Sequence, residues 1–229
     1  MNLLKFFKRK KSVICPCCNS RYETFLPFGT PPRPNARCAN CGSLERQRLI
    51  WYFLKKQTNF FKNQLTLLHV APEECFFKPI SKMSNIKYLP VDMFTPGHSY
   101  PAGTLNMDIT KLDLKDNSID AVLCVHVLEH IPDDFQALRE LLRVLKPTGW
   151  AILQIPLNKK LATTHEDSSI TDPLERAKVF GQWDHVRMYG RDYGQRLTKA
   201  GFKVRVYTPS EKERRKYVLD EDLYFCTHP

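Results

Sequence analysis

From Leu65 onward the chain repeats one pattern, a short apolar run followed by a turn or a helical stretch. The runs are Leu65–Ala71, Ile86–Val91, Leu105–Ile109, Ile119–Val125, Trp150–Ile155, Phe202–Tyr207 and Leu223–Cys226. Runs that are apolar throughout, with no alternation of polar residues, suit strands covered on both faces, as in a parallel sheet. Between the fourth and fifth runs, Pro132–Lys146 places Phe135, Leu138, Leu141, Leu142 and Leu145 on one side of a helix. Acids start that helix, bases end it, and Pro147-Thr148-Gly149 stops it. A second helix is expected over Tyr189–Ala200, ending at Gly201, and a charged loop between Tyr207 and Leu223. Strand, crossover and strand in this order give a doubly wound α/β fold, Rossmann-like, with a mostly parallel sheet.

In such sheets ligands lie outside the carboxyl ends of the strands, where the connections diverge to opposite faces. The residues at those ends are Ala71-Pro72-Glu73, Asp92-Met93, Asp108-Ile109 and His126. Three carboxylates are wrong for a polyphosphate. They suit a ligand with an ammonium, a sulfonium and ribose hydroxyls, which selects S-adenosylmethionine.

Met107–Pro156 reads MDITKLDLKDNSIDAVLCVHVLEHIPDDFQALRELLRVLKPTGWAILQIP. It resembles the class I S-adenosylmethionine-dependent methyltransferases, the type 11-like branch near the quinone-biosynthesis methylases. The likeness runs from about Leu65 to the end and implies a seven-stranded sheet. It implies that Asp92, with Met93 beside it, accepts hydrogen bonds from both ribose hydroxyls, and that Asp108 and Ile109 hold the adenine. A carboxylate fits a vicinal diol because it accepts two bonds at once. The family's glycine-rich first turn is replaced by His69-Val70-Ala71-Pro72-Glu73-Glu74, where Ala71 is small and Glu73 meets the methionyl ammonium. His126, Glu129 and His130 follow the fourth run, where the methyl acceptor lies in this fold. His126 is the candidate base, and His126 also borders the cofactor. His130 and a later cluster, Asp184, His185, Arg187 and Tyr189, are the candidate acceptor contacts, with an ordinary capped helix entry as the competing reading.

Ahead of this region, Cys15-Pro16-Cys17-Cys18 and Cys38-Ala39-Asn40-Cys41 form two C-x2-C knuckles with nineteen residues between them. That spacing fits a four-thiolate zinc ribbon, with Cys15, Cys18, Cys38 and Cys41 as ligands and Cys17 spare. The proline-rich stretch Phe25–Asn35 cannot be helical and carries too few apolar groups for a core, so structural Zn2+ supplies stability. Ser43 is expected to cap a helix running to about Leu54. The domain division that results is a basic tail over 1–12, a zinc ribbon over 13–44, a connecting helix over 45–62 and the methyltransferase domain over 63–229.

The formal charge of +11 is concentrated at the front, where residues 1–50 hold ten Lys/Arg against Glu23 and Glu45. A basic appendage suits an anionic partner such as RNA, acidic lipid or a phosphorylated substrate, or is a solvated surface. The N-terminal MNLLKFFKRKK lacks a cleavage site, no transmembrane run is present, and a reducing, cytoplasmic location is expected. The leading functional expectation is methyl transfer to an unidentified, small-molecule oxygen or nitrogen acceptor. RNA methylation, with the basic zinc module docking RNA, and a noncatalytic binding module on a degenerate fold are the alternatives.

Overall fold

The computed structural model describes residues 12–229, so all of the expected basic tail except Ser12 lies outside the described residues. In chain order the strands and helices are β1 Val13–Ile14, β2 Arg21–Tyr22, β3 Leu26–Phe28, β4 Arg33–Arg37, α1 Glu45–Gln57, β5 Leu65–Val70 and α2 Glu74–Ile80. They continue with β6 Ile86–Asp92, β7 Leu105–Asn106, β8 Ile119–Val125, a 3-10 turn Leu128–His130, α3 Asp134–Val144 and β9 Leu145–Gln154. The remainder is β10 His165–Glu166, α4 Pro173–Phe180, β11 Arg187–Met188, α5 Tyr193–Lys199, β12 Lys203–Tyr207, α6 Glu211–Tyr217 and β13 Leu223–Thr227. No helix among the described residues is long and apolar enough to cross a membrane.

Two compact units result. One ends at Asn59 and takes in Thr208–Asp222; the other comprises Phe60–Tyr207 and Leu223–Pro229. Thr208–Asp222, read from the sequence as part of 63–229, groups with the first unit. The segment read as a charged loop contains α6, because Ser210 accepts from the Glu213 amide while the Glu213 carboxylate accepts from the Ser210 amide at 2.8 Å. That reciprocal cap is a helix-start signal in its own right.

In the first unit, two small antiparallel ladders, β1 with β2 and β3 with β4, carry the cysteine knuckles. Around the cysteines the apolar cluster is small, Val13, Cys15, Phe25 and Cys38 with Val218 packed against them, and α1 adds a long buried face from Leu49 to Leu54. Arg48, fully buried on α1, holds the unit together by donating to the carbonyls of Ala36, Ser43, Tyr217 and Val218 and lying 4.2 Å from the Phe25 ring centre. Tyr52 reaches α6 through a 2.6 Å hydrogen bond to Glu213. The helix starts at Glu45, with the Leu44 amide donating to the Gln47 side chain, so Ser43 is not its cap.

The second unit is built on a seven-stranded sheet of order β12-β13-β9-β8-β5-β6-β7. Strands β5 to β9 are parallel, and β13 runs antiparallel to both neighbours. The central strands are buried nearly throughout, as their uninterrupted apolar sequence requires. Helix α3 presents Ala137, Leu138, Leu141 and Val144 to the core and is capped by Asp133, which accepts from the Gln136 amide at 2.9 Å. Three bounds differ from the sequence reading. The fifth run extends back to Leu145, the third keeps only Leu105–Asn106 as strand, and the last long helix begins at Tyr193. In the first case the chain is already extended at the α3 C-cap, and a register shift opposite Ile119–Ala121 absorbs Pro147-Thr148-Gly149.

Candidate functional site

Strand β5 lies between β6 and β8, and the connections leaving β5 and β8 diverge there. This is the topological switch point, where ligands bind in open α/β sheets. Both lips are set by residues in the left-handed region: Ala71 after β5 has φ 48° and His126 after β8 has φ 54°. Non-glycine residues at such angles carry local strain, which collects at functional sites. Each is pinned by its own amide, Ala71 to Val91 O at 2.8 Å and His126 to Gln154 O at 2.8 Å. The alanine therefore takes up the conformation that a glycine would adopt most easily.

Asp92 closes β6, and one of its carboxylate oxygens accepts from the Met93 amide at 2.8 Å. Burial pushes this carboxyl above the ordinary aspartate value, although the Met93 hydrogen bond and His98 oppose the shift. Met93 beside it is 62% exposed and Phe94, stacked on Tyr100 at 4.3 Å between ring centres, is 43% exposed, so large apolar side chains border the carboxylate. Asp108 is exposed, accepting from the Thr110 amide and hydroxyl at 2.8 and 2.7 Å, and Ile109 next to it is buried. Glu73 stands at the N-cap of α2, one residue beyond Pro72.

On the β8 side, His126 Nδ1 lies 3.7 Å from Glu129 Oε1. Glu129 is 1% exposed and His185 is 8% exposed. His130 Nδ1 faces Asp184 Oδ2 at 3.2 Å, and the His130 and His185 rings meet edge to face at 4.8 Å. His185 Nδ1 meets Phe180 O at 3.1 Å, and burial holds this imidazole below the usual histidine value, hence neutral at pH 7. The Val186 amide donates to Glu129 O at 2.9 Å, which brings the 184–186 segment against the turn after β8. His126, His130, Asp184 and His185 are thus gathered in one place.

Arg187 and Tyr189 are buried and engaged in internal hydrogen bonds. Arg187, 3% exposed, donates to the carbonyls of Leu128, Ile131 and Pro132 and to Glu166, and Tyr189 is fully buried with its hydroxyl 2.7 Å from Asp134. Their task is internal: the guanidinium grips the turn that carries Glu129 and His130. Arg187 opens β11, where its side chain and that of Tyr189 are turned into the protein. Arg196 completes this network, bonding Asp134 at 2.7 Å with both guanidinium arms. Burial raises the Asp134 carboxyl, but Arg196, Tyr189 and Arg187 together hold it below the ordinary value.

In the first unit, the sulfurs of Cys15, Cys18, Cys38 and Cys41 all lie within 4.8 Å of one another. Cys15 and Cys41 are 3.6 Å apart, as are Cys18 and Cys38. Those separations are too long for a disulfide and close to the ~3.8 Å that tetrahedral zinc with ~2.3 Å bonds imposes on its sulfurs. All eight cysteines of the chain are free. The Ser43 hydroxyl, expected to cap α1, instead lies 3.2 Å from both Cys15 and Cys41 sulfurs. Cys17 points elsewhere, toward Gln47 O at 3.8 Å. The cluster fits a zinc ribbon.

Residues 91–153 match the family described as methyltransferase domain, a span from the last residues of β6 to β9 that includes Asp92, Asp108, His126, Glu129 and His130. An uncharacterized 37.1 kDa protein of transposon TN4556 from Streptomyces fradiae is 32% identical over 102 residues, 44% of this chain. The aligned part is 29% of that protein's length, so the chain spans under a third of this relative. Among solved structures, a SAM-dependent methyltransferase from Archaeoglobus fulgidus superposes with a TM-score of 0.51 at 14% identity, covering 80% of this chain and 94% of that one. The [4+2]-cyclase SpnF superposes with a TM-score of 0.53 at 18% identity, covering 74% of this chain and 62% of that one. Similarity at this level establishes the fold: the second unit has the architecture of the solved SAM-dependent methyltransferases, and the stretch that matches the methyltransferase-domain family lies within it.

Proposed function

We propose that the protein transfers a methyl group from S-adenosylmethionine to an oxygen or nitrogen of a small-molecule acceptor, in the crevice between the carboxyl ends of β5 and β8. The observation that carries this reading is Asp92, a partly buried carboxylate at the end of β6 beside the exposed Met93 and Phe94. A carboxylate at that strand end suits the ribose diol, and the two apolar side chains suit the adenosine face. Asp108 and Ile109 are assigned to the adenine and Ala71 with Glu73 to the methionyl end. The bound cofactor supplies a methyl carbon already activated by positive sulfur. The chain's own residues then have to place the acceptor in line and exclude water, which accounts for most of the rate gain such a reaction needs. His126, at the end of β8 and within 3.7 Å of Glu129, is the group in position to take the acceptor's proton.

Calorimetric titration of the full chain with S-adenosylmethionine and S-adenosylhomocysteine tests the reading. Saturable binding is expected in the wild type and at least a tenfold loss in Asp92→Ala. A well-folded wild type that binds neither compound would leave only a noncatalytic role for the fold, and SpnF, named a [4+2]-cyclase, shows that related architectures are found under other activities.

The four-cysteine cluster is assigned to structural Zn2+, in a reducing and hence cytoplasmic setting, as the free thiols suit. All four positions of a tetrahedral ion are taken by sulfur, so no place is left there for chemistry. A second reading, RNA as acceptor, draws support from β3 and β4, which present Arg33 and Arg37 with an exposed Phe28, Arg37 lying 5.7 Å from that ring. Phosphate contacts and base stacking use such pairs. RNA binding that weakens steeply with salt would favour it over the small-molecule reading.

A further inference from the structure

We propose that Glu129, His130 and His185 form a second metal site, distinct from the four cysteines, which binds one divalent first-row transition ion and leaves coordination positions open toward the acceptor. One ligand atom from each residue lies within 4.8 Å of the other two. Donors on a common ion with ~2.1 Å bonds sit roughly 3–4 Å apart, so closure around an ion requires about an ångström of side-chain adjustment. The backbone is already placed for this. Glu129 and His130 share the turn gripped by Arg187, and His185 is held against it through the Val186 amide and Glu129 carbonyl.

Both imidazoles are oriented as ligation needs. His185 Nδ1 lies 3.1 Å from the Phe180 carbonyl and His130 Nδ1 lies 3.2 Å from Asp184 Oδ2. A neutral imidazole that donates from Nδ1 to such an oxygen presents its Nε2 lone pair to a metal, and an imidazole oriented by a carbonyl or carboxylate in this way is the usual arrangement at metal centres.

Two imidazoles and one carboxylate select manganese, iron, cobalt, nickel or zinc over magnesium and calcium, which take oxygen ligands. Three protein donors do not fill the coordination of such an ion. Glu129 and His185 are buried, whereas the side chains of His130 and Asp184 are 30% and 32% exposed, so the free positions open on that side. His126 connects the site to the end of β8. The inference rests on the methyltransferase reading only for its consequence: the acceptor is then one that presents an oxygen to the ion.

The test uses the full chain, loaded with one equivalent of zinc at the cysteines and titrated with Mn2+, a hard ion that competes poorly for thiolates. Free Mn2+ is counted by electron paramagnetic resonance, and nitrogen couplings on the bound ion are read by spin-echo methods. One saturable site with imidazole nitrogen coupling is expected in the wild type. His185→Gln and, independently, His130→Gln should weaken it at least tenfold with zinc content unchanged; His130 is the half-exposed member, so that variant decides the matter where the buried substitution impairs folding. No saturable Mn2+ binding by the wild type, or His130→Gln binding as tightly as the wild type, overturns the proposal. The same samples are titrated with S-adenosylmethionine. Cofactor binding without Mn2+ binding removes only this site, and Mn2+ binding without cofactor binding removes the methyltransferase reading and leaves the site standing.

Discussion

Asp92 is a residue whose environment works against its charge. Because burial raises its carboxyl above the ordinary aspartate value, acidification should weaken cofactor binding at a higher pH than an exposed aspartate would allow. Titrations between pH 7.5 and 4.5 are expected to show affinity falling as the acceptor pair on this carboxylate is lost, while Asp92→Asn binds weakly and evenly across the range. Asp134 is the opposite case, held low by Arg196, Tyr189 and Arg187. Its contribution to stability is therefore present above the unfolded-state pKa, near 3.9, and disappears as pH falls through the lower folded value. Asp134→Asn should cost about 3 kcal/mol at pH 7, since it leaves a buried guanidinium short of a partner, and urea midpoints of variant and wild type should converge in acid. The sequence displayed the carboxylates at the strand ends and the four cysteines, because strand period and knuckle spacing place them without further information. It did not display the separation of His130 and His185 from Arg187 and Tyr189. That depends on a two-residue ladder with His165 and Glu166, a long-range pairing with no local signature.

At the scale of elements, the turn between Tyr189 and α5 is held by close backbone approach. A Cβ on Gly190 would lie 2.5 Å from the Thr163 carbonyl carbon and 2.6 Å from its oxygen, both main-chain atoms. Gly190→Ala should therefore destabilise the second unit by roughly 1–3 kcal/mol, read from denaturant melts, and shift the β10–β11 ladder that sets His185. The central strands were legible because each is buried on both faces and carries an unbroken apolar run. Helix α6 was not, since none of its residues is buried and it has no apolar stripe. Its Ser210 to Glu213 cap was the one local cue, and it was outweighed by the density of charge. Helix α4 was missed for a similar reason: only Phe180 is buried, and the helix is announced by Asp172 and Pro173 at its start and Gly181 at its end.

For the molecule as a whole, the cysteine knuckles of the first unit have only a small apolar cluster and four gathered thiols, the situation in which a metal decides whether a module folds. Removal of zinc by a chelator should raise amide exchange across 13–58 and, at the same time, across Thr208–Asp222, because Arg48 and Tyr52 join the two stretches within that unit. Cys38→Ser is expected to reproduce the effect, and native mass spectrometry should show the loss of one zinc. The path of the chain has a practical consequence as well. It leaves the second unit after Tyr207 and returns at Leu223, two residues directly opposite each other in the β12–β13 ladder. A fragment cut simply at residue 60 would keep an orphaned excursion whose polar and apolar partners had been discarded. Replacing Thr208–Asp222 with a two-residue Asn-Gly hairpin turn would rejoin paired strand ends at their natural spacing. The gene thus encodes a module that is excised in two cuts and one splice, and no single truncation separates the halves.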